Sequence, residues 1–116
     1  TGWYTLSLHD ALPIFFHVHA KDSLVYEQNA RVNGVLDTKH YGDEINRSWI
    51  FRTCGYGHSI EWWKDFVSTL RMVGYDHVLS IEHEDSLMSN NEGLRKAVEC
   101  LRQAIISEKV TAITWA

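Results

Sequence analysis

Two short β-patterned runs, each leading to a capped amphipathic helix, set the limits on what this chain can fold into. Phe15 to Ala20 reads FFHVHA, and its alternation puts His17 and His19 on one face and Phe16, Val18 and Ala20 on the other, as a strand requires. His77 to Glu82 reads HVLSIE, with Leu79 and Ile81 on one face and Val78, Ser80 and Glu82 on the other. Between them, Ser59 stands where a helix cap belongs, ahead of a stripe of Ile60, Trp63, Phe66 or Val67, Leu70 and Val73 that Gly74 ends. After the second run, Ser89 to Glu92 has capping-box spacing. Leu94, Ala97 or Val98, Leu101 and Ala104 or Ile105 then continue as one helical face, to an end expected near Glu108. Strand, helix, strand, helix within one sheet implies an α/β fold with parallel strands joined by a right-handed crossover. Asp22 to His58 shows no sustained period, only turn signals at Asn33-Gly34, Tyr41-Gly42-Asp43 and Gly55-Tyr56-Gly57. It is expected to be a long loop of the kind that binds or covers a ligand.

The segment ahead of the first strand reads differently. Tyr4 to Ile14, YTLSLHDALPI, is what one frame of a common sequencing-adapter primer encodes, and Thr1 to Trp3 fit the adjoining bases. Residues 1–14 are therefore read as a non-native peptide, which removes His9, Asp10 and the single proline, Pro13, from consideration. The natural sequence is expected to be 15–116, one domain that begins inside a structural element. Without Asp10 the formal charge of −4 becomes −3. An acidic chain with no Lys/Arg cluster argues against a nucleic-acid partner. No apolar run reaches the roughly 18 residues of a membrane span, so a soluble cytoplasmic protein without a membrane partner is expected. Cys54 and Cys100 lack the spacing of a zinc finger and read as reduced thiols, one on a loop and one packed on a helix.

In a parallel α/β fold, functional groups gather at the C-terminal ends of strands. His19, Lys21, Asp22, Glu82, Glu84 and Asp85 fall there. An imidazole and a carboxylate on adjacent strands can share a divalent ion, though His19 could equally be a hydrogen-bonded interior histidine and Glu82 the partner of a nearby base. His17, deeper by one strand repeat, suits a core position or a supporting one behind His19. Asp22 could orient His19, or pair with a rim cation. Glu84 and Asp85 read as the start of the next turn. Arg31, Lys39, His40 and Arg47 could close over an anionic sugar or be solvated loop charges, and Trp63 reads as packing rather than as a sugar platform.

The ordered set HVHAKD (His17–Asp22), FRTCGYG (Phe51–Gly57), a following Trp, GYD (Gly74–Asp76) and SIEHED (Ser80–Asp85) resembles the closing strands of the sugar phosphate isomerase/epimerase family, the xylose-isomerase-like TIM barrels. The similarity runs over nearly all of Phe15 to Ser107. It implies that the chain is the C-terminal portion of such a barrel, its last two parallel strands and their helices, since a whole barrel takes about 250 residues. It further implies that His19 and Glu82 are metal ligands for Mn²⁺, Mg²⁺, Co²⁺ or Zn²⁺, that Glu82 is also a catalytic carboxylate, and that Arg52 contacts substrate; by its place at the strand mouth Lys21 could polarise a substrate carbonyl or form an ion pair closing the rim, while His17 and Asp22 would stand behind the ligands. The activity implied is isomerisation or epimerisation of a sugar or sugar phosphate by proton transfer through an enediolate. The other ligands and the second carboxylate are expected upstream, so the segment alone should be inactive. Rival readings are a polyol-ketone dehydratase or an apurinic endonuclease of the same fold, or a barrel kept as a binding module. A homo-oligomer of the intact protein is compatible with any of these. Two parallel strands with open edges also imply that the isolated segment is unstable.

Overall fold

A three-residue strand buries too little to stand alone, and in the computed structural model, which describes residues 16–116, the two β-patterned runs solve this by pairing with each other. Strand β1 (Val18–Ala20) and the last strand, β4 (Leu79–Ile81), run parallel, with Val18 opposite Leu79, His19 opposite Ser80 and Ala20 opposite Ile81. The parallel arrangement expected from the element order is what the chain adopts. The adapter-like stretch lies outside the described residues.

The expected long loop is a correction. It contains β2 (Asp22–Val25), helix α1 (Glu27–Asn33) and β3 (Trp49–Arg52), and β2 pairs antiparallel with β3, Asp22 opposite Arg52 and Val25 opposite Trp49. The elements are hard to see in sequence for a physical reason. Four-residue strands are too short to show alternation, and α1 buries no residue, so no apolar stripe marks it.

Helix α2 (Ile60–Met72) begins as its cap residue dictates: Ser59 Oγ accepts the Trp62 N–H at 3.3 Å. It ends in a Schellman arrangement, with the Gly74 N–H on the Arg71 carbonyl and the Tyr75 N–H on that of Leu70, which needs the left-handed φ of 87° at Gly74. Trp63, Val67 and Leu70 form its buried face. Helix α3 (Asn90–Ala104) is capped by Ser89, whose Oγ accepts from the Glu92 N–H at 3.2 Å. Only half of the expected capping box forms, because the Glu92 carboxylate turns to Lys96 at 3.2 Å. The buried face of α3 is Gly93, Ala97, Cys100, Leu101 and Ala104, while Leu94 is half exposed and the helix stops short of Glu108.

Ala20, Leu79 and Ile81 of the parallel pair meet Trp63 and Val67 of α2 and Ala97, Leu101 and Ala104 of α3, which makes one core on one side of the sheet. Burying each of Val67, Leu70 and Leu101 stabilises by about 1.5–3 kcal/mol. The opposite face is polar and open. The described residues thus form a small α/β unit with one parallel and one antiparallel pair, and do not close into a barrel. No helix among them is long and apolar enough to cross a membrane.

Candidate functional site at the ends of the parallel strands

Parallel pairing delivers the chain from β1 and β4 at the same end of the sheet. Beyond Ile81 the Glu82 N–H still donates to the Ala20 carbonyl at 3.2 Å, which fixes where its side chain begins. His19 Nδ1 and Glu82 Oε2 then meet at 2.9 Å. A carboxylate can only accept, so Nδ1 carries the proton. The Lys21 ammonium donates to Glu82 Oε1 at 3.0 Å and to Glu84 Oε2 at 2.7 Å, and lies 4.0 Å over the Phe51 ring. The His19 and Lys21 hydrogen bonds hold the Glu82 carboxyl below the usual range. Burial pulls Lys21 down, but its bonds to Glu84 and Glu82 outweigh this and leave it above its ordinary value. The result is an ionised, half-exposed carboxylate beside an imidazole whose side chain is 61% exposed. His17 shares a 2.6 Å hydrogen bond with Ser80 Oγ and presents its ring edge-on to His19 at 5.3 Å. It touches the His19 ring from an exposed position rather than a core one.

Asp22 does not orient His19. Its side chain, 1% exposed, accepts hydrogen bonds on Oδ1 from the Ser23 N–H and His58 Nδ1, at 2.8 and 2.6 Å. On Oδ2 it accepts from the N–H groups of Gly55, Gly57 and His58 and from the Trp63 indole, all at 3.0–3.1 Å. Burial alone would raise its pKa, but the His58, Trp63 and Ser23 bonds bring it below the ordinary value. The loop is drawn so close that a β-carbon at Gly57 would overlap the Ser23 carbonyl. Trp63 is core, as expected, and its N–H has found this partner. His58 keeps its outer face stacked on Trp62, ring centroids 4.2 Å apart. Burial, with the Asp22 charge adding to it, pushes the Cys54 thiol up to about 12, so Cys54 and Cys100 are free thiols without nucleophilic character.

Arg52 is held from behind. Its Nε donates at 3.0 Å to Oδ2 of Asp85, whose side chain is fully buried and also accepts the N–H groups of Thr53 and Leu87 at 2.8 and 2.9 Å. The terminal nitrogens of the guanidinium are not used by this pair, and the group lies 5.6 Å from the Tyr56 ring. Asp85, expected to begin the next turn, lies four residues beyond Ile81 and instead anchors Arg52, a partner that nothing in the sequence marks. The loop charges mostly hold the loop: Arg31 faces Glu27, Lys39 faces Asp37, and His40 Nδ1 accepts the Gly42 N–H. Buried Arg47 donates to the Lys39 and Trp49 carbonyls and stacks on Tyr41 and Trp49.

The donor set suits part of a metal site. His19 Nε2 and the Glu82 carboxylate are chemically apt for a divalent cation. No group of three or more His, Cys, Asp or Glu among the described residues could hold one, and both Glu82 oxygens are engaged by His19 and Lys21.

No protein-family model matches the chain. It is 43% identical over 89 residues, 77% of its length, to the "Uncharacterized protein YfiH" of Bacillus subtilis (strain 168). The chain covers only 28% of that relative.

Proposed function

We propose that this chain is the closing segment of a (β/α)₈ barrel whose intact form is a divalent-metal-dependent sugar isomerase or epimerase, with β1 and β4 as its last two strands. The observation that carries this reading is the meeting of His19 and Glu82 beyond two paired parallel strands, on the face the helices leave open. Parallel sheets occur covered on both faces, and among the described residues this pair has one bare face and unpaired outer edges, which further barrel strands would complete. The relative's size agrees: 89 residues being 28% of it makes it roughly 320 residues, enough for a barrel of about 250.

In this reading Glu82, kept ionised by His19 and Lys21, takes the proton next to the sugar carbonyl and holds it on a carboxylate oxygen. Lys21 balances the charge and can donate to a substrate oxygen. Arg52, fixed by Asp85, offers its terminal nitrogens to a hydroxyl, and His17 steadies the His19 ring. His19 and Glu82 would hold the divalent ion, which would polarise the carbonyl, with its other ligands drawn from strands outside this chain.

The test uses the natural full-length protein. Mn²⁺ titration should show tight binding in the parent and none in the His19→Ala/Glu82→Ala variant. Equal binding in both, or none in either, removes the metal site. In D₂O, ketoses should exchange the proton next to the carbonyl, and Glu82→Gln should slow this by about 10²–10⁴-fold.

A further inference from the structure

We infer that Phe51, backed by Tyr41, is a positioning residue that keeps the Lys21 ammonium at the strand mouth. Its use there rests on the proposed function, in which Lys21 serves Glu82 and a substrate oxygen.

The placement begins in the strand register. Ser23 is the partner of Phe51 across the β2–β3 ribbon, which makes Lys21, two residues earlier, a diagonal neighbour of Phe51 on the same face. Trp49 shares that face, since side chains two apart on a strand point the same way. Lys21 Nζ comes to lie 4.0 Å from the centroid of the Phe51 ring. Tyr41 stacks on Phe51 at 5.6 Å with the planes 16° apart, and Trp49 meets both rings steeply, at 5.0 and 6.1 Å. The cluster is anchored at Arg47, whose guanidinium carbon lies 4.4 Å from the Tyr41 ring and 4.8 Å from that of Trp49. Arg47 is 2% exposed and donates to the Lys39 and Trp49 carbonyls, so the aromatic group has a fixed base.

Lysine carries its charge on a flexible four-carbon stem, and two carboxylates that share one ammonium do not decide between them where it rests. Lys21 is shared in this way, 3.0 Å from Glu82 and 2.7 Å from Glu84, and could swing to Glu84 alone. The negative face of the Phe51 ring is a further anchor for the cation, and at 22% side-chain exposure water screens that attraction less than at an open surface. Glu84 and Phe51 hold Lys21 without help from Glu82. The ammonium therefore stays at the mouth when the Glu82 carboxylate turns to a proton or a ligand, as the proposed chemistry requires. A leucine at position 51 would be similarly bulky and would offer no such face.

The experiment acetylates the full-length natural protein with sulfo-N-hydroxysuccinimide acetate and follows each lysine by peptide mass spectrometry. Phe51→Leu should raise the Lys21 rate about two- to fivefold, as loss of a cation–π contact implies, while the exposed Lys64 and Lys109 keep their parent rates. Phe51→Tyr, which retains a ring, should restore the parent rate, and Tyr41→Leu should move Lys21 in the same direction as Phe51→Leu but by less. In proton exchange of D-fructose in D₂O, Phe51→Leu should lower kcat about two- to fivefold with KM little changed. That loss should vanish in a Lys21→Met background, where a residue acting through Lys21 has nothing to act on. An unchanged Lys21 rate in Phe51→Leu overturns the inference, as does a rise shared by all the lysines, which marks lost packing. A Phe51→Tyr variant that behaves like Phe51→Leu, or a kcat loss that persists in Lys21→Met, overturns it too. If Phe51→Leu does not fold, Tyr41→Leu decides by the same readouts. The two readings fail separately: a parent with neither Mn²⁺ binding nor proton exchange removes the proposed function, while the Lys21 labelling still decides whether Phe51 holds the ammonium.

Discussion

Asp22 and Glu82 leave the same end of the parallel pair, and their surroundings leave them in opposite states. Asp22 is sealed in and receives six hydrogen bonds, four of them from backbone N–H groups. Glu82 is 40% exposed and receives two, both from side chains. A buried charge must have its lone pairs satisfied, and once satisfied it has none left for a ligand. An exposed one is stabilised by water and a few partners that can be exchanged for a metal or a substrate. Saturation therefore marks a carboxylate that builds the loop, and incomplete saturation marks one available for chemistry.

The largest effect should come from Asp22→Ala in the full-length protein. It orphans buried donors from β2, the Gly55–His58 turn and Trp63 at once, and should cost about 3–5 kcal/mol in urea unfolding. A loss under about 1 kcal/mol would make Asp22 an ordinary loop acid and dissolve the contrast.

The next effect is a response to acid. Asp22, Asp85 and Asp37 all have folded pKa values below the unfolded value of about 3.9. Asp37 is held at about 2, first by the Lys39 N–H and then by the Ser48 N–H and the Lys39 ammonium. Groups lowered in this way give stability that is complete above the unfolded pKa and is lost as pH falls through the folded one. The unfolding midpoint should stay level between about pH 7 and 5 and decline steadily below about 4. A midpoint that holds constant throughout the acid range would show that these bonds carry no linkage.

The smallest effect on stability should come from Glu82→Gln. Its thermal unfolding should follow that of the parent, since exposed pairs hold little of the fold together, while Mn²⁺ binding weakens and proton exchange slows by about 10²–10⁴-fold. A variant that unfolds early would place Glu82 in the same class as Asp22.

Much of the framework was open to reading from the residues alone. Alternation in FFHVHA and HVLSIE, the Ser59 and Ser89 caps and the Gly74 stop announced β1, β4, α2 and α3, because each signal acts within a few residues of itself. Alternation also put His19 and Glu82 on the bare face. What the tertiary structure decided was partnership. Asp22 found donors from Gly55 to Trp63, Arg52 found Asp85, and the expected loop became an antiparallel pair because Asp22–Val25 met Trp49–Arg52. Leu94 yielded its place in the α3 face to Gly93 and Cys100, since the rotation of a helix is set by what it packs against. Local rules specify what each segment can be; which distant groups share a hydrogen bond depends on the path of the whole chain, and only the folded arrangement states it.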